Sequence, residues 1–283
     1  MKKVFLLCLV FSYLFATAQD KPAYIIYNSK GKKISYKKMM KRLKEKDIVL
    51  FGELHNNAIA HWLELEVAKD LHQYRNIILG AEMFETDNQE GLDIFLQDTT
   101  NRKKLDSLVR IWKNYPTDYA PLVNFAKRNQ LSFAATNVPR RYASLVARGG
   151  FEKLDSLPAS EKKWMPALPI EYDSTLPGYK NMLTMMPGHG GTNLPKAQAI
   201  KDATMAWSIL KYYKPGSLFI HYNGSYHSEN YEGIVWYLKR RKPELRYATI
   251  TTVIQVNIKE LEKNNKGTAD YIICVDADMT NTY

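Results

Sequence analysis

The stretch IVLFGELHNN, residues 48–57, decides the fold of this chain. Residues 48–54 are mostly apolar, and a run of this length predicts a strand that is buried on both faces. The polar residues 55–57 follow directly. The next segment then places apolar side chains at helical spacing, at Ile59, Trp62, Leu63, Val67 and Leu71. A buried strand that leads into an amphipathic helix is the repeating unit of a parallel α/β sheet.

The same alternation recurs along the chain. Further strands are predicted at residues 76–84, 131–136, 217–223, 246–255 and 271–275. Helices are predicted at residues 35–45, from Asp87, from Asp118 to Arg128, after Pro139, and at residues 196–213 and 228–241. This order predicts an α/β fold, a mostly parallel sheet with helices on both faces. Residues 158–195 contain six prolines, which predicts a poorly regular, lid-like insertion.

The start of the chain has the pattern of a secretory signal. Lys2 and Lys3 precede the apolar run 4–15, and Ala16-Thr17-Ala18 supplies small residues for cleavage. We therefore expect residues 1–18 to be a signal peptide and residues 19–283 to form a single domain. The expected location is outside the cytoplasm, periplasmic or secreted, and no stretch is long enough to predict a transmembrane anchor.

The net charge of +11 raises the question of a nucleic-acid partner. The basic residues concentrate in 30–46 and 239–246. The first cluster also has an apolar face at helical spacing, so its charges are interpreted as the solvated side of a helix. With export expected as well, we predict no nucleic-acid partner and only a mild attraction for anionic ligands.

Ligands of open α/β sheets bind beyond the carboxyl ends of the strands. The residues at those ends include Glu53, His55, Glu82 and His227, which we expect to converge on one site. Residues 52–55 (GELH) and 224–227 (GSYH) share the form Gly-x-x-His. The other histidines of the predicted domain core, His61, His72 and His221, are interpreted as hydrogen-bonded structural residues.

Several short motifs together resemble one known family. They are GELHNN (52–57), AEMFE (81–85), ATNVPR (135–140), AQAIKDATMA (197–206) and GSYH (224–227). In this order they resemble the ChaN-like family of the haem-binding uptake and Tiki superfamily, over roughly residues 48–254. The resemblance implies an α/β fold, export, and haem binding connected with iron acquisition. One departure is Tyr226, because relatives often have glycine directly before that histidine.

Under the haem-binding hypothesis, the candidates for the axial ligand of the iron are His55, His227 and Tyr226. Arg140 and Arg141 are the candidate partners of the haem propionates. The insertion offers further side chains that could close over the ring, namely Tyr172, Tyr179, Met182, Met185, Met186 and His189. A homodimer and an outer-membrane uptake component stay open as partners.

Tiki relatives are thought to be metal-dependent proteases, so the alternative hypothesis for this chain is a metal-dependent hydrolase. In that reading His55 and His227, with Glu53 or Glu82, hold a divalent metal such as zinc or manganese, and the remaining carboxylate activates water. A binding protein for another envelope ligand is the third possibility.

Overall fold

A computed structural model describes residues 21–100, 103–185 and 191–283. The predicted signal peptide, Met186 and His189 lie outside the described residues. The strands are β1 (Tyr24–Asn28), β2 (Ile48–Glu53), β3 (Ile77–Glu85), β4 (Phe133–Asn137), β5 (Leu218–Gly224), β6 (Tyr247–Gln255) and β7 (Tyr271–Asp276). The helices are α1 (Tyr36–Leu43), α2 (Ala58–His72), α3 (Gln89–Gln97), α4 (Ala120–Arg128), α5 (Arg140–Gly149), α6 (Ala159–Lys162), α7 (Pro177–Met185), α8 (Leu194–Tyr212) and α9 (Ile234–Arg241).

The strands form one sheet in the order β1-β7-β6-β2-β5-β3-β4. β2 lies at the centre and pairs in parallel with β5 and β6. β3, β4 and β7 are also parallel to their neighbours, and β1 alone among the described strands runs antiparallel, beside β7. The predicted α/β fold with a mostly parallel sheet is therefore confirmed. β1 was not predicted, since it is a five-residue edge strand with only two buried positions.

Helices cover both faces of the sheet, as predicted. Val49 and Phe51 of β2 point into a core that includes side chains of α1, α2, α3 and α4. Ile48 and Leu50 point into a second core on the opposite face, with α5, α8 and α9. The apolar run of β2 thus serves both cores, because successive side chains of a strand point to opposite faces.

Local caps set where two helices begin. The Ser35 hydroxyl accepts a hydrogen bond from the Lys38 N–H at 3.2 Å and starts α1. The Asn57 side chain accepts from the Ala60 N–H at 2.9 Å and starts α2. Each bond satisfies a backbone donor that the first helical turn leaves free. Asn57 thereby ends the strand-exit loop only four residues after Glu53.

Two predicted helix starts were wrong. Asp118 does not cap a helix: it lies in a π-helical turn, Tyr115–Tyr119, that runs directly into α4. Its buried carboxylate accepts hydrogen bonds from Asn114 and Thr282. The helix predicted from Ser228 begins at Ile234 instead. Asn230, Tyr231 and Gly233 all have positive φ angles, which breaks the helical backbone between these positions.

The described part of the insertion is poorly regular, as predicted: before α8 begins it contains the short helices α6 and α7 and a 3-10 turn at Gly191–Asn193. It is nevertheless packed on the domain, since Met165 and Ile170 belong to the core under α5, α8 and α9. Tyr179 of α7 is also buried. Across the described ranges, every helix falls short of the length and apolarity that crossing a membrane requires.

Candidate functional site

The carboxyl ends of β2, β3 and β5 bring the predicted site together. Glu53 is the last residue of β2 and stands opposite Gly224 in the strand register. The Gly224 N–H donates a hydrogen bond to Glu82 Oε2 of β3 at 2.8 Å. Both carboxylates are buried, and the two histidines of the Gly-x-x-His motifs lie beside them. The expected convergence of four residues from separate segments is therefore present.

His55 is the accessible histidine of the site. Its Nδ1 lies 2.6 Å from Glu53 Oε1, and its side chain is 38% exposed. Within the described residues no hydrogen bond involves its Nε2. Burial alone would lower the pKa of His55, but the hydrogen bond to Glu53 and the charge of that carboxylate raise it overall. Trp112 packs against the imidazole edge to face, with ring centroids 5.0 Å apart.

Gly224 packs directly against the His55 ring. A Cβ atom at this position would lie 2.9 Å from His55 Cε1, 3.0 Å from Nε2 and 3.6 Å from Glu82 Oε2. Contacts below about 3.4 Å are too short for unstrained packing of carbon atoms. The glycine of the GSYH motif is therefore required by the close approach of His55, which comes from the other motif.

His227 lies deeper and is held between two carboxylates. Its Nδ1 is 2.5 Å from Asp202 Oδ1, and its Nε2 is 3.1 Å from Glu82 Oε1. Burial alone would lower the pKa of His227, but the two carboxylates outweigh it and raise the pKa to about 10. Conversely, His227 and His55 hold the pKa of Glu82 below its usual range despite burial. Both nitrogens of His227 therefore contact carboxylates in this arrangement.

Tyr226 connects the site to the insertion. Its hydroxyl donates to the Gly178 carbonyl at 2.5 Å, and burial raises its pKa to about 12. The neighbouring Tyr179 donates to Asp202 Oδ2 at 2.8 Å. α7 is therefore bonded to the segment that carries His227 and to α8, and the Tyr226 phenol donates to a backbone carbonyl.

The two arginines predicted as propionate partners follow β4, at the start of α5, and both are exposed. Arg141 is already paired with Asp87 at 2.6 Å and with Glu161 at 3.3 Å. Among the described residues, none of the hydrogen bonds or ion pairs involves the Arg140 side chain. Arg140 is consequently the arginine whose charge is available to an anionic ligand at this edge.

His221 agrees with its structural interpretation. It lies in β5, fully buried, with Nδ1 3.0 Å from Asn223 Oδ1 and Nε2 2.7 Å from Thr136 Oγ1. Burial lowers its pKa to about 4. It is therefore a neutral imidazole that ties β5 to β4.

Sequence reasoning missed Asp202, the partner of His227. A signal was present in the AQAIKDATMA motif, where Gln198 and Asp202 stand four residues apart on the otherwise apolar face of α8. A carboxylate on a buried helix face is costly unless it is paired. This position could have been recognised as part of a site.

His61 was interpreted as a structural residue, but it lies in a second group of ionisable side chains on the other side of Glu53. Its Nδ1 is 3.2 Å from Glu64 Oε2, and its Nε2 is 3.2 Å from Glu53 Oε2 and 3.5 Å from Asp118 Oδ2. Burial alone would lower the pKa of His61, but these carboxylates raise it to about 9. Burial raises the pKa of Glu64 to about 7, although His61 opposes this.

A cavity of about 1050 Å³ opens elsewhere, beside the edge strand β4. Its lining includes Gln89, Leu131, Phe133 and Tyr212 and contains none of the strand-end residues described above. The Gln89 side chain also bonds to the Phe133 carbonyl and the Ala135 N–H, which satisfies part of the exposed strand edge. We place the working site at the strand ends, where the ionisable groups converge, rather than in this cavity.

Solved structures of other proteins share this fold. The chain superposes on the ChaN of Campylobacter jejuni, whose structure is described as showing cofacial haem binding, with a TM-score of 0.67 and 20% identity, covering 90% of this chain and 97% of that chain. It also superposes on a mutant of the erythromycin esterase EreC in its open conformation, with a TM-score of 0.54 and 10% identity, covering 89% and 97% of the two chains. At these identities the likeness shows the fold alone.

No curated protein matches the sequence. A family model described as "Haem-binding uptake, Tiki superfamily, ChaN" does match it, over residues 39–238. The match covers more than half of the chain and includes β2, α2, β3, β4, α8, β5 and both Gly-x-x-His motifs. The chain therefore belongs to the ChaN family of haem-binding uptake proteins, in the Tiki superfamily.

Proposed function

We propose that this protein binds haem at the carboxyl ends of β2, β3 and β5, with His55 as the axial ligand of the iron. Membership of a haem-binding family supports the ligand class. The observation that carries the assignment to His55 is its geometry: Nδ1 is bonded to Glu53, while Nε2 packs against Gly224 at a partly exposed position. A histidine that ligates a metal characteristically donates its other N–H to a carboxylate.

The other two axial-ligand candidates fit less well. Both nitrogens of His227 face carboxylates in a buried position. The hydroxyl of Tyr226 is donated to the Gly178 carbonyl, and its raised pKa disfavours the phenolate that would ligate ferric iron. Each of these groups would have to give up a proton that it shares in a hydrogen bond before it could ligate iron. Within the described residues, His55 Nε2 makes no hydrogen bond and needs no such loss.

The surroundings of His55 suit the rest of a haem. Trp112 beside the imidazole supplies apolar surface for the macrocycle. Arg140 supplies a positive charge for a propionate, since Arg141 is already shared by Asp87 and Glu161. Bound haem would supply an iron centre for which His55 Nε2 is the protein ligand. Glu53 would hold the His55 proton on Nδ1 and make Nε2 a better donor.

The metal-hydrolase alternative has less support in this arrangement. It needs His55 and His227 to share one ion, and that ion would have to displace a contact of a His227 nitrogen with Asp202 or Glu82. Haem carriage needs only His55 from this pair and leaves the buried ion pair intact. We therefore favour haem binding without chemical transformation.

We further propose that the protein is exported and serves iron acquisition, with residues 1–18 removed. The charged and apolar pattern of these residues supports this. Cell fractionation tests it: the mature chain is expected in the periplasm or medium, and deletion of residues 2–18 should retain the protein in the cytoplasm. Finding the intact chain in the cytoplasm would contradict export.

A haemin titration followed by visible absorbance tests the binding proposal. The wild-type chain should show a saturable spectral shift, and His55→Ala should weaken binding at least tenfold, by analogy with the loss expected for a metal ligand. His72→Ala is the matched control, because His72 lies at the far end of α2. Absence of saturation in the wild type would refute haem binding. An effect of Tyr226→Phe but not of His55→Ala would assign the ligand to Tyr226.

A further inference from the structure

The side of Glu53 that faces away from His55 carries a compact cluster of buried ligand atoms. Glu53, His61 and Glu64 each offer one oxygen or nitrogen, and these three atoms lie within 4.8 Å of one another. All three residues are buried. The cluster joins the end of β2 to the first turns of α2, where His61 and Glu64 stand three residues apart on the same helix face.

The hydrogen bonds of this cluster are incomplete. Among the described residues, Glu53 Oε2 and Glu64 Oε1 accept no hydrogen bond although both atoms are buried, and Asp118 Oδ1 next to them accepts none either. One imidazole therefore faces three carboxylates, from Glu53, Glu64 and Asp118. Buried carboxylate oxygens without a partner are costly, and buried charges are normally paired or bound to a metal.

We propose that Glu53, His61 and Glu64 bind a divalent transition-metal cation of the zinc or manganese type. An imidazole coordinates a cation through one nitrogen, so the ion would replace a proton on one His61 nitrogen and also take one oxygen from each of Glu53 and Glu64. These three ligand atoms lie within 4.8 Å of one another. One imidazole with carboxylate oxygens favours such cations, whereas calcium and magnesium prefer oxygen ligands alone.

Asp118 completes the surroundings of this metal site without serving as a ligand in the proposal. Its Oδ2 lies 3.5 Å from His61 Nε2 and accepts hydrogen bonds from Asn114 at 2.7 Å and Thr282 at 2.8 Å. It thus carries additional negative charge near the cation while being held in place by two donors. Such outer carboxylates support metal ligands in many sites.

This metal site shares only Glu53 with the haem proposal and with the hydrolase alternative. It uses His61 and Glu64, which neither of them involves, and leaves His227 and Glu82 untouched. Glu53 connects the two places: its Oε1 bonds to His55 and to the Tyr119 hydroxyl, while its Oε2 faces the cluster. A cation there would fix the carboxylate that orients His55.

The test uses the purified full chain, freed of haem and treated with chelator. It is titrated separately with zinc and manganese ions by calorimetry, and bound metal is counted by elemental analysis. Wild type is expected to bind one ion per chain, and Glu64→Gln should weaken binding at least tenfold. Glu66→Gln is the matched control, because Glu66 lies on the same helix but is paired with Lys69 at a partly exposed position. It should bind as wild type does.

Two results would overturn the proposal. If the wild-type chain binds neither ion saturably, the protonated imidazole of His61 is the only positive charge of the cluster. Binding that His55→Ala abolishes and Glu64→Gln preserves would place the ion at the strand-end site. The wild-type stoichiometry stands even if one variant fails to fold, and His61→Gln then provides a second ligand variant, checked by circular dichroism.

Discussion

Replacing Gly224 by alanine perturbs the His55 position with little effect on the backbone. Gly224 has φ −53° and ψ 136°, a conformation that alanine adopts without strain. The added Cβ, however, would lie 2.9 Å from Cε1 and 3.0 Å from Nε2 of His55. The His55 imidazole must therefore move away from residue 224, while strand β5 keeps its geometry.

The size of the effect follows from these contacts. Ordinary packing between such atoms begins near 3.4 Å, so the ring must shift by about 0.5 Å from its 2.9 Å approach. That shift strains the 2.6 Å contact of Nδ1 with Glu53. Hydrogen bonds to charged groups contribute about 1.5–3 kcal/mol. Losing roughly half of this hydrogen-bond energy weakens haem binding by about 0.75–1.5 kcal/mol, or about 3.5- to 12-fold.

A double-mutant cycle measures whether the effect passes through His55. Haemin is titrated into wild type, Gly224→Ala, His55→Ala and the double variant, with dissociation constants taken from visible absorbance. Gly224→Ala should weaken binding in the wild-type background and have no further effect once His55 is removed. The same loss in both backgrounds would show that Gly224 acts independently of His55, and an unchanged affinity in the single variant would refute the packing argument itself.

Three further predictions concern His227 and the insertion. Asp202→Asn should lower the free energy of unfolding by about 2–4 kcal/mol, because His227 then keeps only one charged partner. Urea unfolding measures this loss, and Lys201→Gln on the same helix is the control. Equal stability of the two variants would contradict the prediction. The pKa of His227 is raised from 6.5 to about 10, so its contribution is fully present below pH 6.5 and is lost as pH rises through 10. Wild type should therefore lose more stability than His227→Gln between pH 7 and 10, and parallel unfolding curves would exclude this linkage. Tyr226→Phe frees the Gly178 carbonyl and should speed hydrogen exchange in α7 while haem affinity stays unchanged; unaltered exchange would mean that this bond does not hold the insertion.

The order of strands and helices could be read from the sequence. Residues 48–54 are apolar except for Glu53 near the carboxyl end, and helical spacing begins shortly after Asn57. Alternation of this kind specifies parallel strands with helices on both faces. Because parallel strands share one carboxyl edge, the sequence alone also placed Glu53, His55, Glu82 and His227 near one another.

The irregular segments were less predictable. Asp118 resembles a helix cap in the sequence, yet its carboxylate accepts bonds from Asn114 and from Thr282, which is 164 residues away. The predicted helix from Ser228 starts later because Asn230, Tyr231 and Gly233 have positive φ angles. Local helix and strand propensities carry no information about such distant partners, so predictions based on them misplace the ends of helices and strands.

The sequence by itself thus determined the fold class and the edge of the sheet where the ionisable residues gather. Only the tertiary structure decided which carboxylate each histidine meets: Glu53 for His55, Asp202 and Glu82 for His227, and Glu64 for His61. The physical reason is that strand direction and helix periodicity are local properties of the chain, whereas these pairings depend on how α2 and α8 are rotated and docked against the sheet. That docking is set by the packing of both cores and brings together residues that are far apart in the sequence.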